Sequence, residues 1–552
     1  METTWLNRRT SWSFAPRSTS AAVLLALGLA LPAAPPVSAA SVGLSSVRAQ
    51  SFENEDLLFF VPETADRFGW SFASGDFNDD GYADLATGMP YDNGLAGSGL
   101  DDTGAVVVRW GGPGGLTPGL ADTFLSQYAS GSQSPPESGD EYGFALASGD
   151  FNGDGYADLA VGTPGDEDPC SPNVNRTGSV SIHYGVPGGI QLAAEHLVHE
   201  SLGDAGGCYV SGHRFGAALA AGDFNLDGWS DLAVGVPQAI VPASPPVNAG
   251  RVIVLYGHFG GLVPIDFQKV DQSLPDVIGV PHDGNEFGAA LTAVDLNHDF
   301  RDDLAVGVPG LLGSGAVQVF VGSSSGFDWT QSALWTEDLL IGGGASEFGD
   351  RFGQALAAGD FDYDGYDDLA MGDPSEDIGA SANTGMVLLS FGSASALTPT
   401  RVKQYLQSSI FGLPSYDGPN ENFGHALAAG DWNGDGAADL AMGIPLEDVG
   451  GADRGGVAVL TSFNVAGDYG AYRFLAIGNA GIPPSVQNSS DAGRALGVGD
   501  FDGDGYDDLV IGMPYWDSLD VVDSGRETVL YGSFFSDGFE GGSTFEWSAT
   551  SP

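Results

Sequence analysis

Basic charge is what this chain most lacks. Its 552 residues hold 18 Lys and Arg against 73 Asp and Glu, a formal net charge of −55, and only Lys269 and Lys403 are lysines. Such a surface repels phosphates, which excludes nucleic-acid binding by phosphate neutralisation and argues against docking on anionic membranes. Cysteine is as scarce. Cys170 and Cys208 fit an oxidising compartment, either as two free thiols or as one bridge closing a loop of about 39 residues, which would contribute roughly 3–4 kcal/mol by loop entropy.

Long hydrophobic runs are missing too. The apolar stretch Ala21 to Ala34 follows Arg8, Arg9 and Arg17 and precedes the small residues Val37-Ser38-Ala39. It is too short for a stable bilayer span, so residues 1–39 read as a signal peptide, with Sec and twin-arginine export both open. Their removal takes away three Arg and Glu2, leaving 15 basic against 72 acidic residues, about −57. The product is expected to be secreted or held at the cell surface. Catalytic signatures are scarce as well: the sequence has no HExxH, HxK pair or DxSxS. The eight His are scattered; His183, His196 and His199 share one region but read as strand or surface residues. No catalytic residue is expected.

What is abundant is glycine, at 85 residues, and aspartate in a repeated setting. The runs DFNDDGYADL, DFNGDGYADL, DFNLDGWSDL, DLNHDFRDDL, DFDYDGYDDL, DWNGDGAADL and DFDGDGYDDL begin at Asp76, Asp150, Asp223, Asp295, Asp360, Asp431 and Asp500, at intervals of 74, 73, 72, 65, 71 and 69. An aromatic-Gly pair precedes six of the seven runs, as in Phe68-Gly69, and an apolar segment ending in Gly-x-Pro follows each, as in Leu232 to Pro237. A further Gly opens an alternating segment such as Arg251 to Tyr256. Short apolar runs bounded by Gly, Pro and Asp are strand signals, and no amphipathic stretch is long enough for a helix.

Each unit offers three clear strands and a vaguer fourth, for example Ile265 to Val270 or Ala333 to Leu340. Four strands in each of seven units predict an all-β fold, a seven-bladed β-propeller of four-stranded blades, with an open solenoid as the competitor. The ends favour a ring. The last unit stops after Thr528 to Gly532 without a fourth strand, and Phe52 to Val61 supplies a spare one before the first repeat. An N-terminal strand is therefore expected to close the ring. The expected organisation is residues 1–39 as signal peptide, 40–535 as the propeller and 536–552 as a C-terminal tail.

Within each run, side-chain oxygens fall at positions 1, 3, 5 and 9. The candidate metal ligands are Asp76, Asn78, Asp80 and Asp84; Asp150, Asn152, Asp154 and Asp158; Asp223, Asn225, Asp227 and Asp231; and Asp295, Asn297, Asp299 and Asp303. The remaining sets are Asp360, Asp362, Asp364 and Asp368; Asp431, Asn433, Asp435 and Asp439; and Asp500, Asp502, Asp504 and Asp508. Gly at position 6 permits the reversal that turns alternate side chains onto one point, and the position 7 carbonyl can add an oxygen. All-oxygen, carboxylate-rich shells without His or Cys suit Ca²⁺. EF-hands are excluded, because position 12 is Thr87, Val161, Val234, Val306, Met371, Met442 and Ile511 rather than Glu. Up to seven Ca²⁺ are expected. The Asp295 loop is the exception: Phe300 replaces the Gly, Arg301 adds a cation and Val294 replaces the preceding Gly, so weak or absent binding is expected there. Seven ions would leave the exported chain at roughly −43.

These units resemble FG-GAP repeats, the modules of the integrin α-subunit N-terminal propeller and of many secreted bacterial proteins. The resemblance covers about residues 52–532, with Tyr142 and Ala492 standing where the aromatic is usually Phe. It implies a propeller with Ca²⁺ loops on its lower face and ligand recognition by longer loops on the other face. The ligand class expected is an extracellular protein or glycan. The competing functional reading is an extracellular hydrolase or lyase, with its site in the upper loops or the central channel. The tail from Ser536 to Trp547 is similar to a DGFE…W ending of assorted secreted bacterial proteins, which implies a sorting or processing signal; a disordered tail is the other reading.

Overall fold

The strand signals pair in chain order into antiparallel sheets. The computed structural model describes residues 45–53, 64–94, 99–117, 122–128, 134–167, 176–192, 196–200, 212–242, 245–262, 266–342, 346–399, 401–412, 418–448, 454–464, 466–476, 490–518 and 521–532. The expected signal peptide, the tail and both cysteines lie outside these residues. The first blade joins Ser71–Gly75, Asp84–Met89, Ala105–Arg109 and Thr123–Leu125. Five more four-stranded sheets repeat this order, from the second blade, opened by Ala145–Gly149, to the sixth, opened by Leu427–Gly430.

The seventh blade takes three strands from the last repeat, Ala495–Gly499, Asp508–Met513 and Arg526–Tyr531, and its outer strand, Ser45–Glu53, from the N-terminus. The ring is thus closed as expected, but by an earlier segment than Phe52 to Val61. The register sets Phe52 opposite Glu527 and Glu53 opposite Arg526, and Phe52 enters the core. Residues 54–63 lie outside the described set. A buried ion pair fastens this junction: Arg109 of the first blade meets Glu527 of the seventh, which also accepts from Thr87 at 2.7 Å. The Arg109 guanidinium lies 4.3 Å from the Phe52 ring centroid.

Burial follows position in the blade. The second strand of every blade is buried along its whole length, because strands flank it on both sides and neighbouring blades cover both faces. That explains its unbroken apolar reading. The innermost strands are rich in Ala, Gly and Ser around one Leu or Phe each, as in Ala355–Gly359, since seven of them converge on one axis. They enclose an axial cavity of about 280 Å³ whose lining includes Phe72, Ser74, Leu356, Ala357, Ala429 and Leu496.

The aromatic-Gly pair is the inter-blade fastener. Phe215, Phe287, Phe352 and Phe423 are fully buried, and each forms a parallel bridge with a Gly of the preceding blade, as Phe352 does with Gly315. A Cβ on Gly315, whose φ is +93°, would sit 2.4 Å from the Phe352 carbonyl oxygen, so the position requires glycine. The last junction repeats the bridge between Phe68 and Gly525. In the second blade Tyr142 replaces Phe, and its hydroxyl bonds His183 Nε2 at 2.7 Å within the core. Ala492 leaves less bulk in the seventh, where Trp516 shares its apolar cluster.

The outer strands are shorter than the sequence suggested. Ile265 to Val270 resolves as Phe267–Val270. Ala333 to Leu340 divides into a strand, Ser332–Trp335, and a helical turn, Glu337–Ile341, whose cap Thr336 accepts from the Leu339 amide. A second short helix, Gln407–Phe411, occupies the equivalent place in the fifth blade.

Candidate metal centres

Each aspartate loop joins the first strand of a blade to the second. In all seven, the position 1 carboxylate accepts from the amides of positions 5 and 6, at 3.0–3.1 Å and 2.8–3.0 Å. The position 5 carboxylate accepts from the position 7 amide at 3.0–3.2 Å. These bonds coil the loop around one point while each oxygen retains lone pairs for a further partner. Position 1 is half-buried and position 5 exposed in every copy.

Position 9 is the buried floor. Asp84, Asp158, Asp231, Asp303, Asp368, Asp439 and Asp508 are all fully buried. One oxygen of each accepts from the backbone just past the third strand, from Gly111 at 2.9 Å in the first blade to Gly532 at 2.7 Å in the seventh. Burial pushes these carboxyls up, to about 7 for Asp84 and Asp158 and to about 8 for the others; backbone donors oppose the shift and other carboxylates of the same loop add to it. A buried acid held so high by its surroundings is one that a bound cation would return to the ionised form.

In the fifth loop, oxygens of Asp360, Asp362 and Asp368 lie within 4.8 Å of one another, and in the seventh those of Asp500, Asp502 and Asp504 do. No such carboxylate trio forms among the described residues of the other five loops, whose position 3 is Asn. The buried oxygens Asn78 Oδ1 and Asp362 Oδ1 have no hydrogen-bond donor. Orphaned acceptors in an all-oxygen loop fit a hard cation of the Ca²⁺ type.

Two features of these loops are not evident from the motif. First, they are joined in a ring: the position 8 amide of each loop donates to the position 1 carbonyl of the loop before it, from Ala157 to Asp76 at 3.0 Å round to Ala83 and Asp500 at 3.0 Å. Where position 8 is Asp, its side chain also accepts from the position 1 amide of that preceding loop. Asp302 does so from Asp223 at 2.8 Å, Asp367 from Asp295 at 3.1 Å and Asp507 from Asp431 at 2.8 Å. The DDL endings of those runs were the available signal. Second, Arg401, in the fifth blade but 37 residues from Asp364, pairs with Asp362 and lies 3.4 Å from Asp364. Nothing in the loop itself announces it.

The Asp295 loop keeps the common hydrogen bonds despite its departures. Phe300 takes the glycine conformation at φ +69° and is exposed. Arg301 lies 3.5 Å from Asp299, and His298 packs between the Phe300 and Tyr366 rings at 4.8 and 5.8 Å.

Comparison with known proteins matches a family model described as FG-GAP repeat seven times, over residues 68–108, 142–183, 215–255, 287–320, 352–389, 423–460 and 492–530. Phosphatidylinositol-glycan-specific phospholipase D of Bos taurus is 37% identical over 174 residues, 31% of this chain and 19% of that protein. Integrin alpha-PS2 of Drosophila melanogaster is 33% identical over 262 residues, 46% of this chain and 16% of that protein. Integrin alpha-4 of Xenopus laevis is 29% identical over 281 residues, 48% and 24% of the two chains. The chain therefore spans a quarter or less of the length of these relatives. Among the described residues no helix is long and apolar enough to cross a membrane. Seven repeat matches on seven four-stranded blades make this chain a member of the FG-GAP repeat family, with an integrin alpha-like propeller.

Proposed function

We propose that the protein is a secreted or surface-held, calcium-stabilised binding propeller without catalysis, whose ligand is an extracellular protein or glycan. The observation that carries this reading is the contrast between the two ends of the blades. At one end the seven aspartate loops repeat one hydrogen-bond pattern and link into a ring, the mark of a structural device. At the other end the connections differ from blade to blade; large apolar side chains are exposed there, as at Leu312, Leu339 and Phe348, and also in the aspartate loops, as at Leu226, Phe300 and Tyr363. A rigid scaffold that carries divergent loops is suited to recognition.

Calcium has a structural role in this reading. Clustered carboxylates repel one another when empty, and an ion bound only by the folded state adds about 2.7 kcal/mol per site at a hundredfold excess over its Kd. Integrin relatives support the adhesion reading. The phospholipase D relatives favour a second one, hydrolysis at the upper loops. Against a site on the axis, the axial cavity is lined by Phe, Leu, Ala, Val, Gly, Ser and Thr and by no titratable side chain.

A glycan and matrix-protein array probed in Ca²⁺ and in chelator tests the proposal. Saturable binding that is lost in chelator and weakened by Phe348→Ser is expected. Turnover of a polysaccharide or phospholipid, abolished by substituting upper-end carboxylates, would replace the binding reading with the hydrolytic one.

A further inference from the structure

Far from the aspartate loops, four acids meet with no cation among them. We propose that Glu337, Asp350, Asp373 and Glu376 form a buried site for Ca²⁺ at the junction of the fourth and fifth blades, at the end of the blades opposite the aspartate loops. One carboxylate oxygen from each lies within 4.8 Å of the other three. Their exposures are 1%, 3%, 0% and 9%. Asp373 closes the strand that Asp368 opens, so about 16 Å of strand separates this cluster from the fifth loop.

Unanswered oxygens point to a ligand. Both oxygens of Glu337, Oδ2 of Asp373 and Oε2 of Glu376 are buried without a hydrogen-bond partner. Asp373 Oδ1 accepts from the amides of Arg351 and Ser375 at 3.1 and 3.2 Å, and Asp350 accepts from the Glu347 amide. Among the described residues, none of the four makes an ion pair. Arg351, the nearest Arg in sequence, turns its guanidinium to Glu286 at 2.6 Å and to Gln354.

Equivalent junctions show how the fold normally answers these positions. Two residues past the outer-strand partners of Val180, Val252, Val317 and Val387 stand Glu200, Gln272, Glu337 and Gln407. Glu200 is matched by His213 at 2.7 Å and Arg251 at 3.0 Å. Gln272 accepts from Asn285 at 2.7 Å, and Gln407 donates to Glu447 at 2.7 Å. Each of those junctions supplies a cation or an amide. The fourth-to-fifth junction supplies only carboxylates, from three chain segments, Asp373 and Glu376 sharing one. Without a cation, burial and mutual repulsion hold Glu337 at about 8 and Glu376 at about 9, while Asp350 stands at about 6 and Asp373 at about 7. Four hard oxygens without nitrogen or sulfur select Ca²⁺ over the softer transition metals.

The test counts Ca²⁺ bound per chain by elemental analysis, in the wild type and in Glu337→Gln/Glu376→Gln. One ion fewer is expected in the variant, with its melting temperature in chelator no lower than that of the wild type, because uncompensated charge has been removed. An unchanged count overturns the proposal in favour of shared protons. Crystals of the wild type grown with Mn²⁺ give a second reading that needs no variant. An anomalous peak among the four carboxylates supports the site, and a structure without one there overturns it. Peaks at the aspartate loops are scored separately, so failure of loop binding and failure of this site remain distinguishable.

Discussion

The fourth and fifth aspartate loops are neighbours with opposite credentials. The Asp295 loop breaks the motif, with Phe300 for Gly and Arg301 beside the ligands, yet it folds with the same bonds as the others. The Asp360 loop keeps the motif whole, with carboxylates at positions 1, 3, 5 and 9, yet Arg401 reaches in from outside and pairs with two of them. A motif therefore specifies the shape of a loop more securely than the freedom of its ligands. Whether a cation competes with the metal depends on side chains that the fold delivers from elsewhere.

Removing all loop ions should have the largest effect. In saturating chelator the melting temperature is expected to fall by roughly 10 °C or more, since several sites each contribute a few kcal/mol; a melt that does not move would remove the structural role of calcium. The pH dependence should then invert. Asp303 and Asp368 are held at about 8 by burial when no metal is bound, above their unfolded value. Their contribution to stability is thus full below about pH 4 and is lost as pH rises through about 8. Melts in chelator should fall across that window, and melts in Ca²⁺ should not.

Within the pair, Arg401→Gln should raise the Ca²⁺ affinity of the fifth loop about tenfold, as measured by calorimetric titration, because a charge-assisted pair worth about 1.5 kcal/mol no longer competes. Phe300→Gly should strengthen the fourth loop by a few-fold, through about 1 kcal/mol of relieved left-handed backbone strain. If Arg401→Gln leaves affinity unchanged while Phe300→Gly raises it, the contrast between the loops is one of backbone and not of charge. The smallest effect should come from Asp302→Ala, which removes one brace between the third and fourth loops. About 1 kcal/mol of stability, read from a denaturant midpoint, is expected.

The propeller was legible because the repeat period, the four apolar segments and the mismatched chain ends all bear on the same geometry. The outer strands were less so. Thr123–Leu125 has three residues, and an edge strand with one paired side needs little apolar pattern to hold its place. The oxygens of the loops could be read from spacing, whereas Arg401 could not, since only the sheet brings it to Asp362. The Tyr142 and His183 pair shows the same limit: each looks unremarkable alone, and their bond exists only across 41 residues. The Glu337 cluster is harder still, drawing on three segments with no motif of its own.

The closing strand has a consequence in time. Ser51 and Thr528, joined by a 2.9 Å hydroxyl contact, are 477 residues apart, so the first strand to leave the ribosome must wait for the last. Bringing such distant ends together costs about 5 kcal/mol in loop-closure entropy, which six blades stacked in order largely remove by curving the two ends towards each other. A chain cut short before Arg526–Tyr531 would have its blades but no latch, and its unpaired sheet edge would mark it as unfinished.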